Sequence, residues 1–163
     1  MVIVYESKTG FTQKYADMLA KETGLKAFST TQLNEVQDGT DIVFLGWVSA
    51  GKIKGIKKVL NRFNVKAVCA SGLAKKPEPN IEALIKTNAC EGKQFYYLRG
   101  GCKPLKKIEG FDKLLLSAFL KMLKGKKDKA PELIETINDM ENGADYVDFK
   151  NLAPVVEWVK SNS

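Results

Sequence analysis

The strongest constraint on the fold is an alternation of short apolar runs with helical segments, which begins near the first residue. The runs are rich in β-branched or aromatic residues, as is typical of strands buried on both faces. Parallel strands need a crossover between them, and helices supply it here. The pattern therefore predicts an α/β fold with a parallel sheet covered by helices on both faces. The five predicted strands are Val2–Tyr5, Leu25–Ser29, Asp41–Trp47, Val65–Ala70 and Lys93–Leu98.

The segments between and after the strands carry apolar residues at helical spacing. The first helix is predicted over Thr12–Thr23, with Gly24 as its C-cap. Thr30–Val36 is predicted as a weak helix or a turn. The chain is expected to form one domain over residues 1–163, in which residues 103–163 are a helical extension on the last edge of the sheet. The other predicted helices are Ile53–Phe63, Asn80–Thr87 with Asn80 as N-cap, Phe111–Leu123, Pro131–Met140 and Leu152–Val159.

The strand order decides where a ligand would bind. Right-handed crossovers leave two common orders for a doubly wound sheet, and five strands favour the order 2-1-3-4-5. Ligands of such sheets bind beyond the carboxyl ends of the strands, where the order reverses. We therefore expect a site formed by the loops Glu6–Thr12, Trp47–Gly55 and Ser71–Pro79.

The chain has no histidine, and this excludes several kinds of catalytic site. A Ser-His-Asp triad, a Cys-His dyad and a His-ligated zinc site cannot be assembled. The three cysteines, Cys69, Cys90 and Cys102, contain no C-x-x-C pair, so no metal site is predicted. Cys69 is expected to be buried in a strand, and Cys102 to be either a reactive thiol or a passive small residue.

Location is predicted from the same features. An odd number of unpaired cysteines suits a reducing cytoplasm. We find no secretory signal pattern and no apolar run near the ~20 residues of a membrane span. A cytoplasmic protein is therefore expected, with peripheral contact on the inner face of the membrane as an additional expectation.

The net charge of +7 comes from 24 lysines and only two arginines, against 19 acidic residues. Nine of the lysines lie in the segment Lys103–Lys129, which has three acidic residues. Lysine lacks the planar fork with which arginine reads bases, so nucleic-acid binding is not predicted. The same segment includes an apolar helix flanked by Lys113, Lys121 and Lys124. Such a helix commonly covers a sheet with its lysines in solvent, and the alternative is contact with an anionic bilayer.

The sharpest motif lies between the first strand and the first helix. It is the run Ser7, Lys8, Thr9, Gly10, Phe11 and Thr12. A helix N-terminus offers unpaired N–H groups, the hydroxyls add donors, and Gly10 allows a tight turn around a phosphate. The alternative is that these residues only cap and turn the chain. The run matches neither G-x-x-x-x-G-K-[ST] nor G-x-G-x-x-G.

This motif resembles the phosphate loop of the flavodoxins, [ST]-x-T-G-x-T, and occupies the same place after strand one. Later segments are similar to the menaquinone-dependent protoporphyrinogen oxidase branch of that family. Together they cover nearly the whole chain and imply a flavodoxin-like, doubly wound, five-stranded sheet. These segments are Ala74-Lys75-Lys76-Pro77-Glu78, Leu98-Arg99-Gly100-Gly101, Phe111-Asp112-Lys113-Leu114 and Lys121-Met122-Leu123-Lys124-Gly125.

The resemblance implies a non-covalent FMN in the three loops. Residues 7–12 would hold its 5′-phosphate through backbone N–H groups and hydroxyls. A second group would line the isoalloxazine: Trp47, Val48, Ser49, Ala50 and Gly51. A third group would close its other side: Ser71, Gly72, Leu73, Ala74 and Lys75. Trp47 is either a stacking residue or a core aromatic at a strand end. Gly51 would permit the peptide rearrangement by which flavodoxins respond to a reduced N5.

The function implied is that of an FMN-dependent electron carrier or a quinone-linked oxidoreductase. Its partner would be a quinone, another small molecule or a protein. If the substrate is protoporphyrinogen, its propionates would meet a positive rim. The rim residues are Lys52, Lys54, Lys75 and Lys76.

The same sequence allows two other functions to be compared with this one. A non-catalytic binding module that has lost tight flavin binding is the main alternative, because Ala50 and Leu73 stand where relatives carry aromatic residues. A signalling receiver domain is excluded in practice. A receiver domain needs clustered acids after strand one, an Asp at the end of strand three and a Lys at the end of strand five. In this chain, strand one is followed by Glu6 and then Ser7, strand three ends at Trp47, and strand five is followed by Arg99.

Overall fold

The computed structural model describes residues 1–77, 80–127 and 130–162. Glu78 of the quoted A-K-K-P-E segment and Pro79, which ends the third expected loop, lie outside the described residues. So do Asp128 and Lys129 at the end of the lysine-rich segment, and Ser163.

Five strands form the parallel sheet, and they run from one edge to the other in the order β2-β1-β3-β5-β6. Because β4 is only a short antiparallel strand beside β3, this order is the predicted 2-1-3-4-5, which is confirmed. A second, two-stranded antiparallel ladder pairs β7 with β8. The strands are β1 Val2–Glu6, β2 Ala27–Ser29, β3 Asp41–Ser49, β4 Lys52–Ile53, β5 Asn64–Gly72, β6 Gln94–Arg99, β7 Gly101–Cys102 and β8 Ala144–Asp145.

The helices follow most of the predicted segments. They are α1 Phe11–Thr23, α2 Ile56–Val59, α3 Ile81–Thr87, α4 Gly110–Lys124, α5 Pro131–Asn142 and α6 Phe149–Asn162. Short 3₁₀ turns cover Leu33–Glu35 and Leu105–Lys107. Both predicted caps are confirmed. Gly24 is left-handed and donates to the carbonyl of Ala20, and the Asn80 side chain accepts the Ala83 N–H at 2.8 Å.

The two faces of the sheet are buried by different helices, and the alternation along each strand divides the side chains between them. On β3, Val43 and Leu45 face a core that is shared with α1 and α6. Ile42 and Phe44 face the opposite core, to which α2 and α3 contribute. The sheet is therefore covered on both faces, as predicted for parallel strands.

The chain after β3 differs from the prediction. A helix was expected over Ile53–Phe63, but β3 turns back as a hairpin with β4, and α2 is only four residues long. Gly55 separates the two at a φ of +83°, and a Cβ there would lie 2.6 Å from Glu6 Cβ. Residues 52–55 belong to the hairpin and the turn that follows it, and β5 begins at Asn64. The helix is short because few residues remain between these two segments.

The helices of the C-terminal third pack in two different places. Helix α6 packs on the sheet beside α1, and its Leu152 is fully buried there. Helix α4 does not cover the sheet, so that expectation is wrong. It packs with α5 in a separate small cluster, which we call the α4–α5 cluster. Its buried members are Leu120, Leu123, Ile137 and Met140. None of the described helices combines the length and hydrophobicity needed to cross a bilayer.

Candidate functional site

The loop after β1 ends in a helix N-terminus that no side chain of the described residues caps. Gly10 occupies the N-cap position at a φ of +95°, and its N–H is 3.2 Å from the Ser7 hydroxyl oxygen. A Cβ on Gly10 would have no other atom within 4 Å, so the space beside this turn is open. Lys8 and Thr9 are exposed, whereas Thr12 is buried. The N–H groups of the first turn therefore face an open edge with adjacent hydroxyls.

The acidic residue of this loop, Glu6, has its carboxylate bound by two other side chains. Glu6 accepts hydrogen bonds from Thr30 and, at 2.8 Å, from Lys58. Burial raises the pKa of Glu6, but these hydrogen bonds and the charge of Lys58 outweigh it and leave that pKa below its usual value. Because Lys58 neutralises this carboxylate, Glu6 opposes an incoming anion less than a free carboxylate would.

The loop after β3 is the tip of the β3–β4 hairpin. Ala50 and Gly51 form its two-residue connection, with φ values of +48° and +71°. Two consecutive left-handed residues are typical of the tight turn that joins two antiparallel strands. Trp47 precedes the tip and is half-buried, with the Lys54 ammonium 5.7 Å from its ring centroid. The ring thus lies at the edge of the site instead of inside either core.

A buried asparagine that the sequence did not point to holds this hairpin. The Asn88 amide donates to the Gly51 carbonyl at 3.0 Å and accepts the Ile53 N–H at 2.8 Å. It also donates to the Leu84 carbonyl at 2.7 Å, so its hydrogen bonds tie the hairpin to α3. Nothing local marks this residue, because its partners in the hairpin are more than 30 positions away in the chain.

The loop after β5 is fixed from β6. The Tyr97 hydroxyl donates to the Ala74 carbonyl at 2.9 Å, and burial raises the pKa of Tyr97 to about 12. A Cβ on Gly72 would lie 2.2 Å from that hydroxyl oxygen, so the packing of the Tyr97 side chain over this position favours glycine. Gly100 donates to the Gly72 carbonyl at 2.7 Å. The loop therefore has a defined path up to Ala74.

Two of the three loops contact the α4–α5 unit. The Lys8 ammonium lies 2.6 Å from the Asp112 carboxylate in the first turn of α4. Leu73 packs against the α4–α5 cluster. Arg99 at the end of β6 binds Glu135 of α5 at 2.7 Å and stacks on Tyr146 with 3.5 Å to the ring centroid. These contacts hold the helical pair beside the carboxyl ends of the strands.

The predicted site residues thus divide into three groups. Those exposed or half-buried at the loop edge are Ser7, Lys8, Thr9, Gly10, Trp47, Ser49, Ala50, Gly51, Ala74 and Lys75. Those buried beneath the edge are Thr12, Ser71 and Gly72. Those that pack into neighbouring structure are Phe11 against Gly101, Val48 against the α2–α3 side of the sheet, and Leu73 against the α4–α5 cluster.

The cysteines add no nucleophile to this site. Cys69 is fully buried, as predicted, and burial raises its pKa. Burial also raises the pKa of Cys102 to about 11, and its thiol donates to the Asp139 carbonyl at 3.1 Å. Cys102 therefore fits the passive alternative, because a thiol with that pKa stays protonated at neutral pH. Among the described residues, no group of acidic or cysteine side chains could hold a metal ion.

The fold and these loops define a doubly wound α/β protein with an open, uncapped helix N-terminus at the switch point of its sheet. The chain belongs to the flavodoxin domain family, whose family model matches residues 2–130. Flavodoxin domains generally bind FMN and take part in redox chemistry. No curated protein matches the chain.

Proposed function

We propose that this protein binds FMN non-covalently at the carboxyl ends of β1, β3 and β5 and acts as a redox protein. The observation that carries the proposal is the uncapped N-terminus of α1, with open space at Gly10, in a chain of the flavodoxin family. The phosphate of FMN is an anion, and N–H groups at a helix N-terminus are suited to bind one.

The donor set of the first loop fits a phosphate. Backbone N–H groups of residues 8–12 and the hydroxyls of Ser7, Thr9 and Thr12 would hold it, and the Lys58–Glu6 pair reduces repulsion from the nearby carboxylate. At the other end, the half-buried Trp47 would give the ring an aromatic wall. The hairpin tip at Gly51, which Asn88 fixes, would lie along the ring edge.

When bound, FMN supplies a centre that accepts and returns one or two electrons, so the absence of histidine is no obstacle. The contribution of this chain is to bind, to orient and to control access. Lys52, Lys54, Lys75 and Lys76 surround the loops and favour anionic groups at the rim.

Replacing both Thr9 and Thr12 with alanine is expected to weaken FMN binding about 30-fold, or roughly 2 kcal/mol, since two hydroxyl donors to a charged group are lost. Quenching of flavin fluorescence during titration of the purified apoprotein measures the dissociation constant. Thr23→Ala is the matched control, because Thr23 lies at the other end of α1. Its hydroxyl donates to the Leu19 carbonyl at 2.6 Å and accepts the Leu25 N–H at 3.4 Å.

The control variant should bind FMN as the wild type does. A wild-type protein that is colourless and does not quench FMN fluorescence would instead support the alternative function, a binding module that has lost the flavin. If the wild type and the double variant bound FMN with equal affinity, the proposal that this loop holds the phosphate would be wrong.

We further propose a quinone-linked oxidoreductase of the protoporphyrinogen oxidase type. The lysine rim supports this choice, because an electron donor with carboxylate groups would be attracted to it. Menaquinone analogues are expected to reoxidise the chemically reduced, FMN-loaded protein without air, which stopped-flow absorbance measures.

The substrate class is tested with the variant Lys75→Gln/Lys76→Gln. Its KM for protoporphyrinogen is expected to rise roughly threefold, because exposed charges contribute about 1 kcal/mol or less. Reoxidation by a neutral quinone should stay unchanged. The matched control is Lys21→Gln/Lys26→Gln, because Lys21 lies in the last turn of α1 and Lys26 follows the C-cap of that helix. If no porphyrinogen is oxidised while quinone is reduced, the donor is a different compound or a protein.

A further inference from the structure

Helix α4 exposes an apolar stripe that the other described residues leave uncovered. Its large members are between 46% and 71% exposed, which is unusual for side chains of this size on one surface. They recur at the spacing i, i+3, i+4, i+8, i+11, so they lie on one face of the helix. The members of this stripe, which we call the α4 stripe, are Phe111, Leu114, Leu115, Phe119 and Met122.

The opposite face of the same helix is already used. Leu116, Leu120 and Leu123 pack in the α4–α5 cluster. The stripe is therefore a second apolar surface, because the face that joins α4 to the protein is a different one. A helix that needed only to pack on α5 would carry polar residues at these positions.

The charges around the stripe favour one kind of partner. Exposed Lys113, Lys121 and Lys124 lie on α4 itself, and Lys106 and Lys107 on the preceding 3₁₀ turn. Lys124 is paired with Glu141, and Lys8 neutralises Asp112 in the first turn. Glu109 at the N-cap of α4 is also exposed, so these five lysines near the stripe stand against three acids. An apolar helical face bordered by lysines matches the interface of an anionic bilayer.

We infer that the α4 stripe docks this protein on an anionic membrane surface, with α4 lying in the plane of the interface. The helix has 15 residues, so it is about 22 Å long and lies on a bilayer without crossing it. Apolar side chains would enter the acyl boundary while the lysines meet lipid phosphates.

The α4 stripe lies on a helix that contacts the candidate site. Asp112 and Leu73 connect α4 and the α4–α5 cluster to the first and third loops of the candidate site. Docking would therefore hold that site near the lipid surface, where a lipid-soluble quinone resides. This consequence rests on the proposed function, whereas the docking itself needs no flavin.

The test is sedimentation of the flavin-free full chain with vesicles of phosphatidylcholine alone or mixed with phosphatidylglycerol. We expect at least tenfold stronger binding to the anionic vesicles, weakened by salt. The variant Leu114→Ser/Leu115→Ser/Met122→Ser is expected to lose at least tenfold, since each buried leucine contributes about a factor of ten. The control Ile81→Ser/Phe149→Ser changes exposed apolar residues on other helices and should bind as the wild type does.

A second measurement separates insertion from attraction by charge alone. Phe119→Trp on α4 and Phe149→Trp on α6 are a matched pair, with exposures of 46% and 45%. Brominated lipids should quench the added fluorescence of the first variant and not that of the second. Equal quenching of the two, or vesicle binding unchanged by the triple serine variant, would overturn the proposal.

One competing occupant gives a distinct result. If the stripe instead binds a second copy of this chain, the wild type should dimerise with rising concentration and should not sediment with vesicles of either lipid composition. That result would overturn membrane docking. Because every sedimentation uses flavin-free protein, its failure is separate from a failure of the FMN titration.

Discussion

Gly46→Ala is expected to lower the free energy of unfolding by about 3 kcal/mol, because the added methyl group meets backbone as well as side chains. Gly46 lies in the buried centre of β3, beneath the β3–β4 hairpin. An ideal Cβ there would be 2.6 Å from the Lys54 carbonyl oxygen and 2.6 Å from Ile53 Cγ2. A side chain could rotate away, but the carbonyl belongs to the chain that leaves the hairpin.

The same substitution should also affect the candidate site. Moving Lys54 away strains the hydrogen bond from its N–H to the Trp47 carbonyl, which is 2.9 Å long. The hairpin that carries Ala50 and Gly51 would then shift, so weaker FMN binding is expected together with lower stability.

Equilibrium unfolding in urea measures the effect. The control is Gly39→Ala, since Gly39 has a φ of +78° and an added Cβ would have no atom within 4 Å. That variant should lose only the roughly 1 kcal/mol of an unfavourable φ. A Gly46→Ala protein as stable as the Gly39→Ala protein would show that the hairpin does not pack tightly over β3.

Leu152→Ala is expected to lower the free energy of unfolding by about 3 kcal/mol and the Tm by roughly 6–12 °C. Leu152 lies on α6 and is fully buried against α1 and the sheet. The alanine would leave a cavity in the sheet core shared with α1 and α6, where the surrounding strands restrict collapse.

Thermal and urea unfolding of this variant also test whether α6 is integral to the fold. Leu114→Ala is the matched control, because Leu114 is 65% exposed on α4, and it should change stability by about 0.5 kcal/mol or less. If Leu152→Ala instead produced a separate early transition while the main one stayed unchanged, residues 149–162 would be a detachable extension.

The candidate site and the α4 stripe share a structural border, which relates the two proposals. Lys8 belongs to the first loop of the candidate site and pairs with Asp112 at the start of α4, at 2.6 Å. Leu73 belongs to the third loop and packs against α4 and α5. A movement of α4 would therefore also displace two of the loops that are proposed to hold the flavin.

The order of the sheet and the loops of the candidate site could be predicted from local features of the sequence. Apolar runs such as Asp41–Trp47 predict strands because their burial depends on composition within a few residues. The helix between β1 and β2 ends at Gly24 because a local left-handed cap suffices there. The motif from Ser7 to Thr12 is equally local, so its position at a helix N-terminus was predictable.

Details that depend on contacts between different elements become visible only in the folded protein. Asn88 fixes a hairpin more than 30 residues away. Gly46 leaves room for the Lys54 carbonyl, and Gly72 leaves room for the Tyr97 side chain. For α4, helical spacing predicts apolar residues on both faces, and the sequence cannot tell which face packs on the protein. That choice depends on α5 and the 3₁₀ turn, whose position relative to α4 is set by packing instead of by the residues of α4 alone.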